Sequence, residues 1–156
     1  MLTDKIVTTG ELQIVLRDEH GNIKEQREVP NLVVTVGKNL IASRLTGVAA
    51  PVMSHMAVGT LATTPANGDT ILGAEIAGSR VALSVVGGVA VAADITYIAS
   101  FGPGVGTGPI VEAGIFNAAS GVPSGFVNTM LCHTTFLVIN KAVGDSLTIT
   151  WKVTVN

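Results

Sequence analysis

A chain of 156 residues is long enough for one domain with a substantial core, and a formal net charge of −2 gives no broad positive field to attract nucleic acid or anionic lipid. Charged residues make up 13% of the chain and hydrophobic residues 47%, so a free surface of this composition would tend to associate. We therefore expect a single domain whose surface other proteins cover, with no nucleic-acid partner and no membrane partner.

The apolar composition does not predict a membrane segment. The longest clearly apolar stretch, "VVGGVAVAA" at 85–93, is far shorter than the roughly 18 residues of a spanning helix. The first residues, "MLTDKIVTTGELQ", lack the apolar region of about 7 to 15 residues found in a secretory signal. A single cysteine cannot form an internal disulfide. We expect synthesis in the cytoplasm.

Charge is concentrated near the start of the chain, where residues 1–44 carry twelve of the twenty charged side chains. Within this part, "ELQIVLRDEHGNIKEQREV" predicts two strands around a polar turn at 18–22, in which His20 is a solvated turn residue. The mixed charges favour a hairpin that projects from the core. We therefore divide the chain into an N-terminal hairpin or arm at 1–30 and a β-sandwich body at 31–156, within one domain overall.

The segment "VGKNLIASRLTG" at 36–47 predicts the one helix. It places Leu40, Ile41, Arg44 and Leu45 on adjoining helical positions and ends at Gly47, a common helix stop.

Strand patterns follow from residue 54 onward: "SHMAVGT", "SRVALSVV", "VAVAADITYIASF", "IVEAGIFN", "TMLCHTTFLVI" and "DSLTITWKVTV". The last of these alternates most clearly, with one face formed by Leu147, Ile149, Trp151, Val153 and Val155. Segments rich in glycine, proline and polar residues separate the strands at 59–69, 102–109 and 118–128. Strands and turns at this frequency predict a mainly β fold, an antiparallel β-sandwich or jelly-roll-like domain with an N-terminal hairpin and one short α-helix.

Two features could suggest ligand binding, and neither fits it. The glycines of "GPGVGTGP" at 102–109 alternate strictly, no Lys-Ser/Thr pair follows, and Pro109 removes a donor where a phosphate-binding helix would begin. We interpret this segment as a loop between strands. Trp151 and Tyr97 are too few for a stacking platform that binds sugar or single-stranded nucleic acid, and we place them in the core and at its edge.

A metal site needs several converging ligands, and the three histidines, His20, His55 and His133, lie far apart in the chain. Cys132 and His133 are adjacent, but neighbours on a strand point to opposite faces and cannot easily share one ion. Convergence over long range stays open at this point. We expect no metal and no cofactor.

As a nucleophile, Cys132 would need a histidine base and a third group to orient it. The alternation instead places Cys132 on one face with Met130, Thr134 and Phe136, which indicates a small buried hydrophobic residue. We expect no catalytic residue in this chain.

Glu112 raises the question of paired carboxylates, since acid/base catalysis of this kind needs a second carboxylate in the same cleft. Asp94 and Asp145 are possible partners only because no pattern excludes them. We expect Glu112 to pair with Arg80 or Lys152, or to accept hydrogen bonds from backbone amides beside the glycine that follows.

Several motifs, in this order, resemble small structural proteins of tailed bacteriophages: "NLVVTVGKNLIASRL", "SHMAVGT", "GDTILGAEI", "SRVAL", "VEAGIFNAASG", "MLCHTTF" and "INKAVGDSLTITWKVTV". The likeness covers about residues 30 to 155 and is to head decoration (cement) proteins, with similar patterns in tail and tail-fibre modules. One departure is the longer "VPSGFVNT" between "AASG" and "ML", which removes any basis for transferring contacts of the 118–129 loop.

The resemblance implies a viral structural protein, a β-sandwich on the outer surface of the virion that clamps the capsid lattice without catalysis. Its implied partners are the major capsid protein and copies of itself, through interface residues that the motifs do not identify. A tail, tail-fibre or baseplate component is the alternative. An enzyme or small-ligand binder is the third, and it would require a deep pocket holding His133 or Glu112 beside a second titratable group.

Overall fold

The computed structural model describes residues 5–156 as two five-stranded antiparallel sheets and one helix. Strand accounts for 47% of the residues and helix for 7%, which confirms the predicted mainly β sandwich with one short helix. Of the predicted N-terminal arm, residues 1–4 lie outside the described part of the chain.

The elements in chain order are β1 (Thr8–Arg17), β2 (Ile23–Pro30), β3 (Leu32–Val33), α1 (Thr35–Leu45), β4 (His55–Gly59), β5 (Val81–Ala82), β6 (Val89–Val91), β7 (Asp94–Phe101), β8 (Gly108–Phe116), β9 (Met130–Lys141) and β10 (Ser146–Val155). The first sheet has the order β2-β1-β10-β7-β6, and the second has the order β3-β9-β8-β4-β5. The chain crosses between the sheets repeatedly, so each sheet is built from distant parts of the sequence.

The main core lies between the two sheets, and alternation along β10 supplies its centre. Trp151 is fully buried and is in register with Leu12 of β1 and Tyr97 of β7. The β10 side chains predicted to share a face are buried, the last only partly: Leu147, Ile149, Trp151, Val153 and Val155. The prediction for this strand, and for Trp151 and Tyr97 as core residues, is confirmed.

The prediction that the N-terminal hairpin projects from the core is wrong. β1 pairs with β10 along its whole length, from Thr8 opposite Val155 to Arg17 opposite Ser146, and lies inside the first sheet. Of the two hairpin strands, only β2 lies at an edge of the sheet, and it carries four of their six charged side chains. The alternating apolar side chains of β1 bury one face of the strand, although its other face and its turn are charged.

The helix is confirmed, and it begins and ends close to the predicted residues. Leu40 reaches the main core, and Gly37 lies so close to β9 that a Cβ there would come within 2.4 Å of the Leu131 carbonyl oxygen. Leu45, predicted on the same face as Leu40, is 77% exposed. The helix therefore packs through a narrow stripe and leaves an apolar side chain uncovered.

Two predicted strands are shorter than the patterns indicate. The segment 89–101 folds as the hairpin β6–β7, which turns at Ala92, a non-glycine residue with a φ of 54°. In the segment 79–86, only Val81–Ala82 pairs as strand. Apolar composition alone does not locate a turn, because the residues at this turn, Ala92 and Ala93, are not turn formers.

Strand β9 contains two irregularities that break its alternation. At the first, Leu131 is extra, so Met130 and Cys132 lie opposite Phe116 and Ile115. Met130 therefore packs in a separate cluster on the outer face of the second sheet, while Cys132 lies in the main core. The prediction that Met130 and Cys132 share a face is wrong, because a bulge changes the side on which the following residues point.

We predict that Ile14→Ala lowers the free energy of unfolding by about 2–5 kcal/mol, because it opens a cavity in the core. Ile23→Ala should change it by no more than about 0.5 kcal/mol, since exposed substitutions have small effects. Ile14 is 0% exposed and Ile23 is 53% exposed, so they form a matched pair within one hairpin. Urea denaturation measures both, and equal, small effects would contradict the placement of β1 in the core.

Tyr97 is the single tyrosine of the chain, and burial raises its pKa to about 12. The phenol of an unfolded tyrosine has a pKa of about 10. Because the folded pKa is higher, burial of the neutral phenol should stabilise the fold fully below about pH 10, and this contribution should be lost as the pH rises toward 12. Tyrosinate absorbance should show a native midpoint about 2 pH units above that in urea. A native midpoint near that of the unfolded chain would refute the prediction.

Candidate functional site

The outer face of the second sheet is covered by the long connection between β4 and β5, residues 60–80. Small residues make room for it: a Cβ at Gly59 would lie 2.5 Å from the Ala74 carbonyl oxygen, and one at Gly114 would lie 3.0 Å from the Leu72 side chain. Leu72 packs there against Ala57 in the outer cluster. We call residues 60–80 the covering segment.

Glu112 attaches the covering segment to the sheet. Its side chain is fully buried and accepts backbone N–H hydrogen bonds from Ala74 at 2.7 Å, Gly73 at 2.9 Å and Leu61 at 3.3 Å. Glu112 therefore accepts hydrogen bonds from backbone amides, as one predicted alternative states, but the predicted place beside the following glycine is wrong, because all three amides belong to the covering segment. A buried carboxylate requires such partners, because an unpaired one would be very costly.

His133 completes a buried cluster with two carboxylates. Its Nδ1 lies 2.7 Å from Asp69 Oδ2, and its Nε2 lies 3.1 Å from Glu112 Oε2. Asp69 also accepts the backbone N–H of Ala66 at 2.8 Å. Since both ring nitrogens face carboxylate oxygens, only a doubly protonated ring donates both hydrogen bonds. The cluster fixes two points of the covering segment to β8 and β9.

The cluster of Asp69, His133 and Glu112 resembles the acidic and basic members of a catalytic triad, but it has no free base. Both nitrogens of His133 are bonded to carboxylates, and Glu112 is saturated by backbone donors. Cys132 is buried on the opposite face of the sheet, and burial raises the pKa of its thiol, which favours the unreactive protonated form. The groove beside the cluster is shallow, lined by Pro65 and Thr135 among others. The geometry is that of a structural clamp.

The predicted pairing of Glu112 with Arg80 or Lys152 is wrong. Arg80 binds Glu75 through two nitrogens and lies with its guanidinium carbon 3.8 Å from the centre of the Phe116 ring. Lys152 binds Glu11 at 2.9 Å on the first sheet, and this contact raises the pKa of Lys152. Lys152 therefore pairs within the first sheet, and Arg80 pairs within the covering segment.

Neither of the other two carboxylates considered beside Glu112 is its partner. Asp94 accepts a hydrogen bond from Thr154 at 2.6 Å. Asp145 binds Lys24 at 2.7 Å, and this hydrogen bond holds the pKa of Asp145 below its usual range. The first contact links β7 to its neighbour β10, and the second links β2 to the turn before β10, so both are structural.

The remaining histidines lie apart from the cluster. His20 is exposed in the β1–β2 turn, as predicted, and His55 lies 2.8 Å from the Ser54 hydroxyl. Burial and the nearby Arg80 lower the pKa of His55. Within residues 5–156, no group of three or more histidine, cysteine, aspartate or glutamate side chains is arranged to hold a metal ion.

The glycine-rich segment 102–109 connects β7 to β8, the predicted role of an inter-strand loop. Gly106 has a φ of 60°, and a Cβ there would lie 2.9 Å from the Val58 side chain, so the turn requires glycine for conformation and for space. The buried Lys141 ammonium donates to the Gly102 carbonyl at 2.9 Å, and burial lowers the pKa of Lys141. The loop is held against β9.

Beyond residue 44, the chain has few charged side chains and many exposed apolar ones. Among residues 5–156, 18 large hydrophobic side chains are exposed, including Val122 at a loop tip and Leu137, which is 82% exposed. After residue 44 the chain carries only eight charged side chains, and each of them has a hydrogen-bonded partner within the described part: Asp69, Glu75, Arg80, Asp94, Glu112, Lys141, Asp145 and Lys152. No helix in the described range 5–156 is long and apolar enough to cross a membrane.

Comparisons of the chain with protein-family models, curated proteins and solved structures found no match. The resemblance to phage structural proteins therefore stays a prediction that rests on the motifs alone.

We predict that Glu112→Gln lowers the free energy of unfolding by about 1–3 kcal/mol, because an amide nitrogen must replace one acceptor that faces buried donors. Glu11→Gln, at an exposed ion pair, is the matched control and should cost no more than about 1 kcal/mol. Hydrogen exchange at Gly73 and Ala74 should also accelerate in Glu112→Gln alone. Unchanged exchange would show that Glu112 does not hold the covering segment.

Proposed function

We propose that this chain is a structural protein of a tailed-bacteriophage particle, a decoration or cement protein bound to the outside of the capsid. Its partners in this role are the major capsid protein and neighbouring copies of itself, and it acts without catalysis or a cofactor. The observation that carries the proposal is the surface: 18 exposed large hydrophobic side chains accompany charges that, after residue 44, are all bonded within the chain.

Such a surface suits permanent contact with other proteins. Long-lived interfaces are large and more apolar than transient ones, and their centres are depleted of charge. A subunit that repeats over a lattice also needs only modest affinity at each contact, since neighbouring copies that touch one another add avidity.

The clamp at Glu112 supports the same role. It fixes the covering segment to the second sheet, so that both faces of β8 are buried from Glu112 to Phe116 and this part of the protein has a fixed shape. A subunit whose shape is fixed before it binds loses less conformational entropy on binding. The motif resemblance supports the assignment to a bacteriophage particle.

A tail, tail-fibre or baseplate component is the second candidate, because the motif pattern also resembles modules of those proteins. The number of copies in a particle separates the two locations. A decoration protein is present in hundreds of copies, whereas a tail component is present in a handful or a dozen. Quantitative mass spectrometry of purified particles gives this number.

We predict that the purified protein binds capsid shells that lack it, and that it raises the temperature at which those shells lose integrity, because a ligand that binds the assembled state stabilises it. Co-sedimentation and thermal scanning of shells with and without the protein measure both effects. Purified tail tubes are the control surface. Binding to tails but not to shells would favour the second candidate, and binding to neither would contradict a virion role.

A further inference from the structure

An open apolar groove runs along one side of α1. One part of it, about 390 Å³, lies between the helix and the start of β1, with Ile6 opposite Ile41 and Leu45. The other part, about 290 Å³, shares Ile41 and Leu45 and continues to Tyr97 and Val155 at the end of the first sheet. We call these two parts together the helix groove. Its combined lining is almost entirely apolar, and no other part of residues 5–156 fills it.

The charges beside the helix groove are positive and have no bonded partner among residues 5–156. Lys38 lies in the first part of the groove and Arg44 in the second. No acidic residue lines either part, and the whole stretch 29–68 contains no aspartate or glutamate. Asp94, on β7, is hydrogen-bonded to Thr154. Every other charged side chain of residues 31–156 has a hydrogen-bonded partner, so Lys38 and Arg44 are exceptions.

The charge of Lys38 gains nothing from the helix dipole. It lies in the first turn of α1, where the helix dipole disfavours a positive charge, and that turn contains no acidic residue to offset it. Arg44 is in the last turn, where a cation interacts favourably with the dipole, but its guanidinium still has capacity to bind a carboxylate through two nitrogens. Leu45, beside it, is 77% exposed.

We propose that the helix groove is a docking site for a segment of another protein that inserts apolar side chains over Ile41 and Leu45 and places carboxylates against Lys38 and Arg44. Charge complementarity selects an acidic partner over a neutral or basic one. An amphipathic helix or an extended strand with acidic flanks has this chemistry. The assignment of that segment to the major capsid protein rests on the proposed function, whereas the chemistry of the groove does not.

The first test uses a small anionic amphiphile, 1-anilinonaphthalene-8-sulfonate, as the probe of groove chemistry. We expect it to bind the wild-type protein, and we expect Leu45→Asp and Arg44→Glu each to weaken binding at least about tenfold, or about 1.4 kcal/mol. The matched controls are Leu137→Asp, at a leucine 82% exposed on β9, and Arg17→Glu, at the end of β1. They should bind the dye as wild type does.

The second test is binding of the same four variants to capsid shells. If wild type and both controls bind and both groove variants do not, the inference is supported. If all four variants bind alike, the docking site is elsewhere and the inference fails, while the proposed function stands. If wild type does not bind shells, the proposed function fails, and the dye titration alone decides: equal dye affinity in Leu45→Asp and Leu137→Asp overturns the groove. Urea denaturation of each variant verifies that it is folded.

Discussion

The structure depends on how one buried carboxylate is satisfied. Glu112 lies on a sheet face that would be solvent-exposed in a simple two-sheet sandwich, and there it binds three backbone amides and His133. These bonds hold the covering segment in place and exclude water from the outer face of the second sheet. The continuous burial of β8 from Glu112 to Phe116 follows from this arrangement, since both of its faces are covered. By contrast, β10 alternates because one face of the first sheet meets solvent.

The same bonds determine what the protein can offer to a partner. Asp69, Glu112 and His133 satisfy one another, and Arg80 with Glu75 and Phe116 joins the covering segment to the end of β8. Charges used in this way stabilise the fold and are withdrawn from the surface. Exposed apolar side chains lie on edges, loops and α1, and the proposed contact with other proteins would cover them.

The sequence predicts the elements that depend on local pattern and fails where placement depends on distant contacts. The alternation of β10 and the stop of α1 at Gly47 are local, and both predictions hold. The predicted placement of the hairpin is wrong because its charges lie on β2, on the turn and on one face of β1, while the apolar face of β1 alone decides its burial. The cluster at Glu112 was missed, since an irregular segment of about 20 residues carries Asp69 to the sheet and no periodicity encodes that path. The register that sets His133 opposite Gly114, two residues from Glu112, is no sequence signal either, because the irregular pairing at Leu131 shifts it.

The clamp and the proposed docking site lie on different elements, although the first turn of α1 meets the covering segment where the Thr35 N–H donates to the Asn67 carbonyl oxygen. The clamp side of the molecule, where the covering segment lies on the second sheet, uses its charges internally and has small residues that admit close packing. The helix side differs: α1 packs on the core through Leu40 and Gly37, and its N-terminus has no side-chain cap. Lys38 and Arg44, near the exposed Leu45, have no bonded partner among residues 5–156. A helix needed only to complete the core would not require Lys38 in its first turn, where the dipole opposes it. The arrangement is understandable if a partner supplies the missing negative charge.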